Sequence, residues 1–176
     1  MRPRSVLDLP TRRRIADFVG AHPGSSARTV QRGVGLGWGE TAYHLDQMLR
    51  AGLLYRERGG RRDYYFPADM PPIDRQLLLS MQSAVERALL VELARFPGLT
   101  FHDLVGRLGL GKSTAAFHLK FLLALGIVDV DTSAPQRRYQ TRRPDLVLRL
   151  YATFRDSFED RWVDRFSSTW GGLVRK

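Results

Sequence analysis

Four histidines, His22, His44, His102 and His118, carry much of the chain's chemical reach. An imidazole can ligate a metal, relay a proton or sit in a scaffold. His44 lies in "TAYHLDQMLRAGLL", which begins at Thr41, and His118 in "AAFHLKFLLALGIV", which begins 74 residues further on at Ala115. No histidine has a second one four residues away, and the chain has no cysteine. Disulfides, thiolate metal sites and thiol redox sensing are excluded, and no metal site is expected. A motif that occurs twice marks an architecture rather than one active site. Both histidines therefore read as scaffold, with His44 placed to pack or to donate one hydrogen bond to a phosphate. A second chemical signal is "GRLGLGKS", Gly106 to Ser113, which fits the P-loop spacing G-x-x-x-x-G-K-[ST]. A P-loop must follow a strand so that its amides cradle phosphate. This match follows an amphipathic helical stretch, "TFHDLVGRL", and no apolar strand ending in Asp comes after it to hold Mg²⁺. It reads as a decoy, and neither a nucleotide nor any other cofactor is expected. Carboxylates are scattered and no Ser/His/Asp set is suggested by spacing, so no enzyme activity is expected.

The repetition extends well beyond the histidines. Shifted by 74, residues 15–67 align with 89–141 without a gap, and 11 of the 53 positions are identical. Among them are Pro23/Pro97, Gly24/Gly98, Gly35/Gly109, Gly37/Gly111 and Gly52/Gly126. The glycines fall where turns are needed, so the repeat is physical and not only compositional. Each unit begins with a helix, expected over 10–21 in the first and, longer, over 75–95 in the second. "HPG" or "FPG" ends it. A short helix is expected over 26–33 or 100–107, then a glycine-containing turn, then a helix over 39–51 or 112–125. Two β-rich stretches follow. In the first unit they are "LLYRERGG" and "RRDYYFP", a hairpin with Gly59-Gly60 at its tip. In the second they are "IVDVDTSAPQRRYQT", with a longer tip.

Helix, helix, tight turn, helix and hairpin make a helix-turn-helix with a wing. The pattern T-A-x-H-L-x-x-x-L-x-x-x-G-[LI]-[LV] resembles winged-helix transcription factors of the ArsR-like and MarR-like kind. It is most similar to the tandem two-winged-helix regulators common in archaea, over about residues 10–141. The fold class that follows is mainly α with small β-hairpin wings (α+β). The expected organisation is a DNA-reading winged-helix domain at 1–67, a linker at 68–74, a second winged-helix domain at 75–143 and a long amphipathic helix at 144–176. The resemblance implies binding of double-stranded DNA, with the third helix of a unit in the major groove and the wing beside it. It also implies dimerisation through terminal helices. The cysteine metal motif of ArsR sensors is absent.

On a wheel of 100° per residue centred on Leu45, Thr41, Met48, Leu49 and Gly52 form a core face, and His44 lies at its boundary. Glu40, Tyr43, Gln47 and Arg50 point away, a set that can donate, accept and stack against base edges. Glu40, Tyr43 and Gln47 are the expected base readers, with Arg50 and Arg28 nearer the backbone. Thr41 and His44 complete the candidate interface on this helix. The first wing adds Arg56, Arg58, Arg61 and Arg62, suited to phosphates or a narrow minor groove. The same wheel on Leu119 turns Ser113, Thr114, Phe117, Phe121 and Ala124 outward. Two phenylalanines suit burial against protein better than a groove, since burying one is worth about 1.5–3 kcal/mol. The second unit is therefore expected to serve packing or dimerisation, with backbone contacts left to Lys112, Ser113, Thr114, Arg137 and Arg138. Asp129 and Asp131 on its leading strand would repel phosphate.

From Asp145 to Trp170, Val147, Tyr151, Phe154, Phe158, Trp162, Phe166 and Trp170 recur every three or four residues. They predict one long helix with an aromatic stripe, packed on the chain's own second unit or on a symmetry mate. Its other face carries both signs of charge, unlike a membrane-surface helix. No apolar run reaches the roughly 18 residues that span a bilayer. The basic start, "MRPRSVLDLPTRRR", lacks the apolar stretch of a signal peptide. A cytoplasmic homodimer on DNA is the expectation. Net charge supports it: of the total +10, residues 1–67 hold +6, residues 68–141 hold +1 and residues 142–176 hold +3. The excess sits on the unit expected to meet a polyanion. The alternative is a winged-helix interaction or architectural module of a larger transcription or chromatin assembly.

Overall fold

The computed structural model describes residues 9–158. Its first unit comprises residues 9–79 with Thr153–Ser157, and its second Ser80–Ala152 with Phe158.

In the first unit, α1 (Pro10–Ala21) starts on a proline, whose missing N–H costs nothing in a first turn. The two-residue strand β1 (Ser25–Ser26) leads into α2 (Ala27–Val34), where the Ser26 hydroxyl caps the Thr29 amide at 3.2 Å. Gly35 ends α2 in the left-handed conformation, φ +67°, and two residues later Gly37 caps α3 (Trp38–Arg50). Strands β2 (Leu54–Gly59) and β3 (Arg62–Pro67) form the wing, and β1 joins them in the order β1-β3-β2. Helix α4 (Pro72–Met81) follows.

The second unit repeats this plan. Its elements are α5 (Ala84–Arg95), β4 (Leu99–Thr100), α6 (Phe101–Leu108), α7 (Lys112–Ala124), β5 (Val128–Asp131), β6 (Arg138–Thr141) and α8 (Pro144–Phe154). All three helix pairs α1/α5, α2/α6 and α3/α7 share their bounds after the 74-residue shift. The sheet order is again edge-to-edge equivalent, β4-β6-β5, and Leu99↔Tyr139 reproduces the register Ser25↔Tyr65. The cores correspond side chain for side chain. Ile15, Val19, Val30, Leu45, Met48, Leu54 and Tyr65 are buried in the first unit, and Leu89, Leu93, Leu104, Leu119, Leu122, Val128 and Tyr139 in the second. Each such side chain contributes on the order of 1.5–3 kcal/mol, and together they hold the third helix of each unit in place.

Four expectations need correction. The long helix over 75–95 is two helices. Ser83 accepts a hydrogen bond from the Glu86 amide and caps α5, so α4 belongs after the first wing and only α5 opens the second repeat. Helix α4 also begins inside the stretch read as linker. The wing tip is Gly60-Arg61, because Gly59 still pairs with Arg62, and Gly60 supplies the positive φ of the turn, +62°. Finally, the helix expected from Asp145 onward is interrupted at Arg155–Ser157 by a 3₁₀ turn, and the rest of that stretch, 159–170, lies outside the described residues.

Candidate nucleic-acid interface

The third helix of the first unit buries Thr41, His44, Leu45 and Met48, while Leu49 and Gln47 are half-buried. The inward face is thus centred between Leu45 and His44, not on Leu45. The cause is Arg12 on α1, itself buried, whose Nε donates to His44 Nδ1 at 3.4 Å. Thr41 is withdrawn from the interface: it is fully buried, and its hydroxyl donates to the Gly37 carbonyl at 2.8 Å. His44 is withdrawn too, since its Nδ1 is engaged with Arg12 and its Nε2 lies 3.9 Å from Glu40. Rotating the face brings Gly39, Ala42, Tyr43, Asp46 and Arg50 to the exposed side, with Glu40 at one edge. Tyr43 stands out from it, 56% exposed. Arg50 is held by Asp46 at 2.9 Å, one turn back. Trp38, the first residue of the helix, is 52% exposed, and the Arg28 guanidinium sits 5.5 Å from its ring centre. Sequence reasoning gave Trp38 no role; its place at the start of the helix after a glycine turn was the available signal.

The wing sorts its arginines into two kinds. Arg56 and Arg58 lie on one strand face and share Asp63, at 3.5 and 3.9 Å. Arg56 also hydrogen-bonds Tyr65, whose hydroxyl pKa is pushed up by burial first and by Asp63 second. Arg61 and Arg62, at the turn, are exposed and make no ion pair among the described residues. Behind the wing, Arg75 of α4 is buried, stacks 3.9 Å from the Tyr55 ring centre and bonds Glu57 at 3.3 Å. That contact removes the one carboxylate of β2 from the free surface.

In the second unit, Lys112, Ser113 and Thr114 are exposed at the start of α7. Arg137 is exposed in the loop between β5 and β6, and Arg138 donates to the Gly98 carbonyl at 3.0 Å. Phe117 and Phe121 remain 70% and 47% exposed, so the described part of the C-terminal helix does not cover them. Tyr151 and Phe154 are half-buried, while Phe158 is buried, stacked on Tyr151 at 6.2 Å and under the Arg87 guanidinium at 4.8 Å. Trp162 and Phe166 lie outside the described residues. Asp129 grips Arg142 through both its oxygens at 2.7–2.9 Å, and this partner holds its carboxyl below the usual range. Asp131 is held down by Ser133 instead. The P-loop-like stretch runs from helix α6 through Gly109, φ +60°, to helix α7, with no strand before it. Among the described residues no group of three or more His, Asp or Glu is placed to hold a metal, and no helix is long and apolar enough to cross a membrane.

Residues 10–78 match the family model described as an N-terminal HTH domain. An uncharacterised HTH-type transcriptional regulator of Methanocaldococcus jannaschii is 28% identical over 123 residues, which cover 70% of this chain and 31% of the relative. The chain thus spans less than a third of that protein's length. Similar solved structures include the transcriptional repressor BigR from Xylella fastidiosa, 25% identical over 46% of this chain and 82% of its own, with a TM-score of 0.40. Another is a homodimeric winged helix-turn-helix DNA-binding domain from Mycobacterium bovis, 23% identical over 48% of this chain and 74% of its own, with a TM-score of 0.36.

Proposed function

We propose that this tandem winged helix-turn-helix protein is a sequence-specific transcriptional regulator that binds double-stranded DNA through its first unit. Helix α3 enters the major groove with Tyr43 foremost and Glu40 and Gln47 at the edges of the contact. Arg28 and Arg50 lie nearer the backbone. Arg61 and Arg62 take phosphates, and Arg56 and Arg58 reinforce them when Asp63 releases them. The observation that carries this reading is the pairing, in one unit, of an exposed third-helix face with a wing tip whose two arginines are exposed and make no ion pair among the described residues. Regulation follows from occupancy: the bound protein blocks or recruits the transcription machinery.

The second unit supplies contacts between copies. Phe117 and Phe121 favour protein over a groove, because the major groove offers little apolar surface beyond the thymine methyl. A two-fold dimer then calls for a palindromic site whose half-sites lie about one helical turn, or a multiple of it, apart.

The test is duplex binding by the full chain at about 50 and 200 mM salt, with light scattering on the same sample. A log–log salt slope of several units is expected, and no duplex binding at the lower salt defeats the DNA reading. Gln47→Ala should relax sequence preference, and an unchanged preferred sequence removes that residue from the readout. A monomer at micromolar concentration removes the dimer.

A further inference from the structure

The exposed start of α3 is apolar where a basic surface would be expected. Trp38 opens the helix half-exposed, Ala42 lies one turn further along the same side, and Tyr43 projects beside it. Gly37 and Gly39 flank Trp38 in sequence and carry no side chains, and the tryptophan itself is 52% exposed. A tryptophan serving the fold would be buried, and this one is not among the core residues. The Arg28 guanidinium over its ring fixes the indole plane and puts a cation beside it. The surface therefore joins an apolar contact to a positive charge, the complement of a thymine methyl next to an anionic backbone phosphate. In the major groove the apolar group on offer is the 5-methyl of thymine.

We propose that Trp38, with Ala42, is a specificity-determining contact to thymine methyl groups, and that Arg28 holds the indole while binding the neighbouring phosphate. This rests on the DNA reading above and adds to it the identity of a base. The equivalent positions of the second unit are Lys112, Ala116 and His102, which lack the indole and its stacked arginine. The contact is thus particular to the first unit.

The experiment takes a duplex recovered by the full chain from random sequence and replaces its thymines by deoxyuridine one at a time. That change removes only the methyl. One or two positions should each lose about fourfold in affinity, the worth of one buried methyl-sized group. Trp38→Ala should weaken the thymine duplex and abolish the thymine–uracil difference at those positions, while Trp38→Phe retains part of it. An unchanged melting temperature for Trp38→Ala shows that the fold is intact. If every uracil duplex binds as tightly as its parent, the thymine contact is overturned and the DNA reading stands. If no duplex binds, the DNA reading falls and takes this contact with it.

Discussion

One position on the third helix meets opposite partners in the two units. His44 accepts a hydrogen bond from Arg12, whereas His118 pairs with Glu86 through Nδ1 at 2.9 Å. Arg12 and Glu86 are themselves equivalent under the 74-residue shift. A ring nitrogen that accepts from a guanidinium carries no proton, while one facing a carboxylate donates its own. The same exchange of acid for something else recurs. Where the second unit has Glu92 paired with Arg107, the first has Phe18 packed on Gly33. Where the second has the capping box of Thr100 and Asp103, the first has Ser26 and Thr29. Asp129 answers to Tyr55. The backbone plan is kept and the charges are redistributed: the equivalent stretches 10–67 and 84–141 carry five carboxylates each, but ten basic residues stand in the first against seven in the second. The added arginines are the change expected where a polyanion approaches, because each cation near a phosphate adds affinity.

The sharpest way to break the comparison is to open the same hole in each core. Leu45→Ala and Leu119→Ala remove equivalent, buried side chains and should each cost about 2–5 kcal/mol. Calorimetry should show similar losses, but only Leu45→Ala should abolish duplex binding at moderate temperature. Loss of DNA binding from Leu119→Ala alone would reverse the assignment of roles.

The junction between the first two helices of each unit separates them further. A Cβ on Gly33 would lie 2.0 Å from the Phe18 ring, so Gly33→Ala must displace an aromatic ring and should cost about 1–3 kcal/mol. Arg107→Ala, at the equivalent place, breaks a partly exposed ion pair and should cost under about 1 kcal/mol. Urea midpoints measure both, and equal losses would mean that the aromatic packing and the ion pair do the same job.

These pairs also show what the sequence made legible. Glycine and apolar spacing placed α1, α2, α3 and the wing within a residue or two, because turns and core stripes are local. Helix α4 was hidden because "PPIDRQLLLSMQSAVERALLVELARF" contains no glycine, and no proline after its first residues, to mark the break. The signal was Ser83 with Glu86 three residues on, a capping spacing. The face of α3 was misjudged for a different reason. What draws His44 inward is Arg12, 32 residues away, and a helical wheel contains only its own helix. Asp63, which occupies Arg56 and Arg58, sits across the hairpin and became visible only with the strand register. The exposure of Phe117 and Phe121 agrees with the outward face read from the wheel.

Acid should tilt the second unit through Glu86. Burial pushes its carboxyl pKa up, and the His118 contact opposes this in part. A folded pKa above the unfolded one gives stability that is full below the unfolded value and lost as pH rises through the folded value. Glu86 therefore favours the fold in mild acid over neutral pH. Glu86→Gln should flatten this dependence in melts taken from above the raised pKa down to about pH 4.3, the unfolded value. Arg12→Gln is the matched change in the first unit and removes no carboxylate, so the slope assigned to Glu86 should persist. A slope that survives Glu86→Gln assigns it to another group.

The smallest effect has the opposite sign and comes from the cap. Hydrogen bonds from the Thr100 side chain first, and its backbone second, hold the Asp103 carboxyl below its ordinary value. Its contribution is complete above the unfolded pKa of about 3.9 and fades as pH falls through the lowered folded value. Asp103→Asn should therefore reduce the loss of helix α6 on acidification, and the corresponding change at Thr29 should not, since Ser26 caps α2 without a charge. Amide exchange at the first turn of each short helix reads the two caps separately. Parallel acid loss in both helices would show that the charged and neutral caps respond alike, and would remove the cap from the set of differences between the units.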